Sequence, residues 1–339
     1  MFGARLFERT IALVNVTVLT YLEREGAETY DAVVDQVAAA LRKHKHVVKI
    51  LGVHGDLQEL IAGIRRQKPQ LVFNLMEMFA RNVLGDVAVA GVLDLLAMRH
   101  TGGGPGELYL RQDKALTKEL LAYHGVPFPN YAVFRRHSYP DTIGRLRMPL
   151  IVKPLRMDAS IGIEASSLVR STTQMMKRVI AIHEKVKDSA LVEEYIEGRE
   201  FYVGVIGNRK PIALPPIEMD FSGMPEGMPQ ILGRRAKWVK SSLEYKGTCS
   251  RVAEIPDGLK ARLQRVSVDA YRALRVRDYG RVDLRVTPSG EVYVIEVNAS
   301  CYLEKSAEFA TAGKAAGIAY EELVNAIARL AITRSKRAY

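Results

Sequence analysis

Apolar positions in the first hundred residues fall into two alternating kinds: short aliphatic runs, and longer stretches with apolar residues three and four apart. The runs read as strands and the 3.6-residue spacing as helices. On this basis residues 11–19, 47–53 and 71–74 are expected strands. Val34, Val37, Ala38 and Leu41 mark one helix, and residues 57–64 another. Strands alternating with helices define a small parallel α/β unit. Gly102, Gly103, Gly104, Pro105 and Gly106 interrupt every regular pattern and end that unit near residue 105.

The pattern then changes. A helix over 112–123, stopped by Gly125 and Pro127, leads into strands at 131–134 and 150–153. Strand-like runs at 161–166, 191–196, 200–206 and 212–217 surround a helix at 172–187. Residues 220–251 carry Gly223, Pro225, Gly227, Pro229 and Gly233 with little periodicity, which reads as a lid or binding loop, or else as a surface excursion. A helix at 257–274, strands at 280–287 and 291–298, and a helix at 320–331 complete the chain. The expected class is α/β together with α+β. The divisions are 1–105, 106–190 and 191–339, the last containing the loop 220–251.

The last two strands hold the most informative chemistry. With the turn at residues 288–291, Thr287 pairs with Val292, which puts Asp283 opposite Glu296 and Arg281 opposite Asn298, all on one face. Opposed side chains lie roughly 5 Å apart, and like charges there destabilise a sheet unless something neutralises them. Two carboxylates and an amide oxygen suit a hard cation such as Mg²⁺, and a bridging Glu296 suits two ions roughly 4 Å apart. The alternative is a polar face on which Arg281 and Arg285 pair with the acids.

Upstream lie groups suited to phosphate. Lys153 and Pro154 end an apolar strand, and Met157, Asp158, Ala159, Ser160, Ile161, Gly162 and Ile163 form a turn whose small residues admit close backbone approach. Lys114 in the preceding helix offers a further phosphate contact. In the run 191–200, Glu193, Glu194, Tyr195, Ile196 and Glu200 sit at a strand–turn–strand transition, where backbone amides could read an adenine edge; a plain charged hairpin is the alternative.

Composition narrows the field. At 339 residues, 48% hydrophobic and 26% charged, the chain is an ordinary folded protein of two or three domains, which excludes disordered and mini-protein classes. Cys249 and Cys301 have neither paired spacing nor neighbouring ligands, which argues against disulfides and cysteine-bound zinc and favours a cytoplasmic setting. No run reaches about 18 uninterrupted apolar residues, so neither membrane span nor signal peptide is expected. The 49 Lys and Arg exceed the 38 Asp and Glu, giving +11. These cations are dispersed apart from a C-terminal cluster (Arg329, Arg334, Lys336, Arg337), so the charge fits an anionic small ligand better than nucleic acid.

The order of these motifs resembles the ATP-grasp superfamily, in its D-alanine–D-alanine ligase-like branch. The carriers are Asp113-Lys114, Ile151 to Pro154 with Ser160 to Ile163, Leu191 to Phe201, Ala236-Lys237-Trp238, Gly280 to Asp283 and Glu296 to Asn298. The likeness is strong from Lys114 onward and weaker before it. It implies an N-terminal pre-ATP-grasp domain and two α+β subdomains that sandwich ATP. It further implies Lys114 and Lys153 on phosphates, with Ser160, Ile161 and Gly162 in the phosphate loop. Glu193, Glu194, Tyr195 and Ile196 would lie at the adenine and Glu200 at the ribose. Lys237 would be a lid lysine, and Asp283, Glu296 and Asn298 would hold two Mg²⁺, for which Mn²⁺ can substitute.

The reaction so implied joins a small-molecule carboxylate to an amine through an acyl phosphate. Ser160, Lys237 and Arg281 would act in it, Arg281 at the oxyanion, and related ligases are commonly dimers. This chain also departs from the pattern. Ala299-Ser300-Cys301-Tyr302 replaces the usual proline and glycine, and Ala307-Glu308 replaces a serine and leucine that seat the second amino acid. Tyr302 and Glu308 are therefore candidate substrate residues, and Glu77, in a segment placed where substrate-facing loops of related ligases lie, is a third, with a solvated loop acid as the alternative. Dipeptide synthesis from D-alanine is disfavoured, because an acid at 308 would repel a substrate carboxylate. A peptide-modifying or glutathione-synthetase-like ligase, D-alanine–D-alanine ligase proper and a catalytically silent nucleotide-binding protein are the alternatives.

Overall fold

The computed structural model describes residues 12–27, 29–82, 84–138, 141–142, 146–157 and 160–334. Ile11 of the expected first strand, Asp158 and Ala159 of the turn, and Lys336 and Arg337 of the basic tail lie outside them.

Strand β1 (Asn15–Tyr21) is the middle of a three-stranded parallel sheet, flanked by β2 (Val47–Val53) and β3 (Leu71–Leu75). Its successive side chains point to opposite faces and so supply two cores. Val16 and Val18 pack with Val34, Val37 and Leu41 of helix α1 (Ala32–Lys43), while Leu19 packs with Leu60 and Ile64 of α2 (Leu57–Gln67) and Val89 and Leu93 of α3 (Gly85–Leu95). Asp31 caps α1 by accepting the Val33 N–H at 2.9 Å, satisfying one of the donors a helix start leaves open. Helix α3 was not expected, because its nearly uniform apolar sequence has no helical period to read.

A helix that was not expected, α4 (Pro105–Gln112), precedes α5 (Lys114–Tyr123), which is the helix expected over 112–123. Asp113 separates them in an extended conformation and caps α5, accepting the Ala115 and Leu116 N–H groups at 3.2 and 3.1 Å. A five-stranded antiparallel sheet follows in the order β5-β4-β8-β6-β7, from β4 (Tyr131–Phe134), β5 (Asp141–Thr142), β6 (Leu150–Pro154), β7 (Leu168–Val169) and β8 (Ala190–Glu194). Helix α6 (Thr172–Ala181) covers it through Val179. The run 161–166 is not a strand. Ser160 and Gly162 adopt left-handed φ values of 60° and 73°, and the Ile163 N–H closes a turn on the Ser160 carbonyl. The expected division between residues 190 and 191 cuts β8 after its first residue; β8 belongs to this second sheet, and the chain leaves that sheet only after Glu194.

The third sheet is β12-β11-β9-β13-β14, with β10 also on β9. It comprises β9 (Arg199–Ile206), β10 (Ile212–Ala213), β11 (Ile217–Asp220), β12 (Cys249–Val252), β13 (Tyr279–Val286) and β14 (Val292–Ala299). The expected strand 212–217 is split into β10 and β11 by Pro215 and Pro216, since proline cannot donate to a ladder. Residues 221–248 connect β11 to β12 and contain the short helices α7 (Arg234–Trp238) and α8 (Leu243–Lys246). Helix α9 (Asp257–Ala273) packs on one side of the sheet through Leu263, Ala270 and Tyr271.

Helices α10 (Glu308–Ala315) and α11 (Tyr320–Thr333) return to the first unit, where Leu323, Val324 and Ile327 join the core of β1 and α1. That return sets the segment after β14 beside the start of α1. Among the described residues no helix is long and apolar enough to cross a membrane.

Candidate active site

A cleft of about 830 Å³, counted with its solvent-open part, lies between the second and third sheets. Lys153 and Glu193 line it from β6 and β8, Glu200, Asp283 and Glu296 from β9, β13 and β14, Lys114 from α5, and Lys237 from the long connection.

Asp283 pairs with Glu296 and Arg281 with Asn298, as expected, although the ladder gets there by a different route. Beside the turn Val286, not Thr287, faces Val292, and a bulge at Ile295 restores the register before Asp283. The extra residue lets Ile295 and Glu296 both line the cleft while Val294 and Val297 both enter the core below.

Arg281 donates to both oxygens of Asp283, at 2.7 and 2.9 Å, and its Nη1 donates to Glu308 at 3.0 Å. Asn298 Nδ2 donates to Asp283 at 3.2 Å. Burial pushes the Asp283 carboxyl up to about 6; Arg281 opposes the shift and the facing Glu296 adds to it. Glu296 lies 3.8 Å from the Lys114 ammonium, and although burial raises its pKa, Lys114, Lys153 and Lys237 together bring it below the ordinary range. The alternative of simple acid–arginine pairing is thus realised for Arg281. Arg285 reaches Glu200 instead, at 2.9 and 3.1 Å.

The lysines are organised by a residue whose part was not foreseen. Glu193 does not offer a free carboxylate to the cleft: it is buried between Lys118, 2.5 Å away, and Lys153, with which it also pairs. Burial alone would raise the Glu193 carboxyl, but the two ammonium groups outweigh it and hold the pKa at about 2. Lys118 was missed, and its signal was the four-residue spacing from Lys114, which puts both on one side of α5. Lys114 itself donates to the Met157 carbonyl at 2.8 Å.

At the other end Tyr195, Ile196 and Glu200 line the cleft beneath Gln230 to Leu232. Ser160 Oγ donates to the Leu232 carbonyl at 2.8 Å and the Arg234 N–H to the Ile163 carbonyl at 3.1 Å, stitching the glycine-bearing turn to the long connection. Ile161 is not a lining residue: its side chain is exposed. At Gly162 an added Cβ would stand 2.7 Å from Pro154 Cγ. Glu194 lines the rim and accepts from Asn130 and from the Arg147 N–H.

Two of the candidate substrate residues, Tyr302 and Glu308, follow Asn298. Tyr302 donates to Asp31 at 2.7 Å, and Glu308 is held by Arg281. Glu77 is exposed and acts on Tyr302 through its charge.

The two-sheet cleft, with oxygen donors on one strand pair and lysines around it, defines an ATP-grasp ligase architecture. Residues 120–329 match the family described as D-ala D-ala ligase C-terminus, and the chain belongs to that family of ATP-grasp carbon–nitrogen ligases. It is 33% identical to an uncharacterized protein of Sinorhizobium fredii over 89% of this chain and 88% of that one. It is 29% identical to a D-alanine–D-alanine ligase of Carboxydothermus hydrogenoformans over 91% and 95% of the two chains. The structure of the Bacillus anthracis D-alanine–D-alanine ligase superposes with a TM-score of 0.74 at 21% identity, covering 95% of this chain and 98% of that one, a likeness of fold.

Proposed function

We propose that this ligase joins a carboxylate to an amine at the expense of ATP, through an acyl phosphate, and that its substrates are amino acids or amino-acid-like molecules other than a D-alanine pair. The observation that carries the reading is Asp283 facing Glu296 across the ladder at a cleft ringed by Lys114, Lys153 and Lys237. The family name of the relatives supports the class of reaction, and the acid at 308 supports a different acceptor.

The donor set fits a hard cation: two carboxylates and an amide whose oxygen makes no hydrogen bond among the described residues. Asp283, Glu296 and Asn298 would hold Mg²⁺, which when bound neutralises charge on phosphate oxygens. Lys114, Lys153 and Lys237 orient the triphosphate and spread the charge of the phosphoryl group in transfer, a task of positioning and electrostatics. The Glu193 clamp fixes Lys153 at its station. The turn 160–163 and the long connection exclude water, which would otherwise hydrolyse the acyl phosphate. Arg281 supports the oxyanion of the second step.

A second reading, nucleotide binding without turnover, is favoured by one observation: Asp283 and Glu308 together engage Nε, Nη1 and Nη2 of Arg281. The exposed Cys249 and buried Cys301 are both free thiols, which supports a reducing cytoplasm. A homodimer is proposed on the family resemblance alone. ADP formation from ATP across a panel of carboxylates and amines tests the proposal. Amine-dependent ADP formation is expected, and nucleotide binding without it under every pair would favour the second reading.

A further inference from the structure

Arg285 lies two residues beyond Asp283 on β13 and lines the same cleft. Its buried guanidinium joins three separate pieces of chain. Nε and Nη2 donate to Glu200 on β9 at 3.1 and 2.9 Å, Nη1 donates to the Ile196 carbonyl at 2.9 Å, and Nη2 also donates to the Gln230 carbonyl in the long connection. The guanidinium carbon sits 4.6 Å from the centre of the Tyr195 ring, and the Tyr195 hydroxyl donates to the same Gln230 carbonyl at 2.9 Å. One backbone oxygen of the connection is therefore gripped by two side chains from the cleft floor.

We infer that Arg285 is the positioning residue that seats the connection 221–248 on the nucleotide end of the cleft, coupling closure there to Glu200. The inference rests on the nucleotide reading of the cleft. The physical reason for an arginine is its planar fork, which reaches acceptors in several directions at once while its face lies on an aromatic ring. A lysine supplies the charge without the fork. Glu200 fixes the guanidinium from the floor, so the grip on Gln230 depends on an acid that lines the cleft and lies within reach of whatever occupies it. Ser160 fastens Leu232 two residues further on. Arg285 and Ser160 thus hold the connection at carbonyls two residues apart, Gln230 and Leu232.

The test is amide hydrogen exchange of the full chain, comparing residues 228–234 with strands β9 and β13, in wild type, Arg285→Met and Tyr195→Phe. Arg285→Met is expected to speed exchange at 228–234 at least tenfold with the two strands unchanged. Tyr195→Phe removes one hydroxyl donor and is expected to give about fivefold, as one lost hydrogen bond predicts. This milder variant decides the matter if Arg285→Met does not fold. Arg285→Lys is expected to fall between wild type and Arg285→Met. With ATP as probe, Arg285→Met is expected to raise KM about tenfold and more than it lowers kcat, the signature of lost ground-state binding. Exchange at 228–234 that is unchanged, or that rises only in step with the strands, overturns the inference. Exchange reports on Arg285 even if no amine-dependent ADP formation is found, so failure of the ligase reading is seen separately.

Discussion

The Asp283 carboxylate is held on both oxygens by Arg281, two positions away on the same strand face, at 2.7 and 2.9 Å. In this state the guanidinium supplies the positive charge that two facing acids require. Removing it leaves Asp283, Glu296 and Glu308 without that partner, and breaking a buried pair costs about 3–5 kcal/mol. Arg281→Ala is therefore expected to melt well below wild type in EDTA and to recover more on addition of MgCl₂ than wild type does. Equal recovery in the two proteins would count against cation binding between the facing acids.

Glu193 keeps two lysines together in the floor of the cleft, so Glu193→Gln leaves buried ammonium groups without their counter-ion. Urea unfolding at neutral pH is expected to show a loss of about 3–5 kcal/mol. The pH dependence carries a definite sign. The folded pKa of about 2 lies below the ordinary value, so the stabilisation is complete above the ordinary carboxylate range and is lost as pH falls toward 2. The gap between wild type and Glu193→Gln is thus expected to narrow below about pH 4.5, and a constant gap would contradict the clamp.

Lys237 lines the cleft from the connection and acts on both Asp283 and Glu296 through its charge. If it serves the transferring phosphoryl group, Lys237→Ala lowers kcat for ADP formation by about 10²-fold and changes ATP affinity by less than about fivefold. Single-turnover rates and equilibrium titration check the ranking; a larger loss of affinity than of rate would remove the role.

Gly162 has φ +73°, and an added Cβ meets Pro154. Left-handed backbone costs a residue with a side chain about 1–2 kcal/mol. Gly162→Ala is expected to raise KM for ATP and to lower the melting temperature by a few degrees, whereas an unperturbed KM would separate this turn from the nucleotide.

Much of the site was legible in the sequence because strand alternation fixes which side chains share a face. Asp283, Glu296, Arg281 and Asn298 came together although the turn was placed one residue off, because the Ile295 bulge restored the expected pairing. No local pattern announced that bulge. The clamp on Glu193 was invisible for a different reason: it joins residues 118, 153 and 193 from separate elements of the second sheet and its helix, and a charged side chain reads as solvated until its partners are placed. The start of α5 was readable in hindsight from Asp113 as a cap, and the break at Pro215-Pro216 as a missing donor. Helix α3 left no signal of its own. The role of Arg285 depends on a backbone carbonyl 55 residues away, which no side-chain pattern encodes.

On the proposed function, Asp283 and Glu296 act together on the triphosphate. The most direct test of this is the rate of ADP formation by Glu296→Gln against wild type, with Mg²⁺ and the same carboxylate–amine pair, alongside the melting temperature of each. A fall of at least about 10³-fold in rate, with melting within a few degrees of wild type, is the predicted result, since electrostatic groups at a phosphoryl transfer site carry most of the rate. Turnover equal to wild type would rule out that joint role.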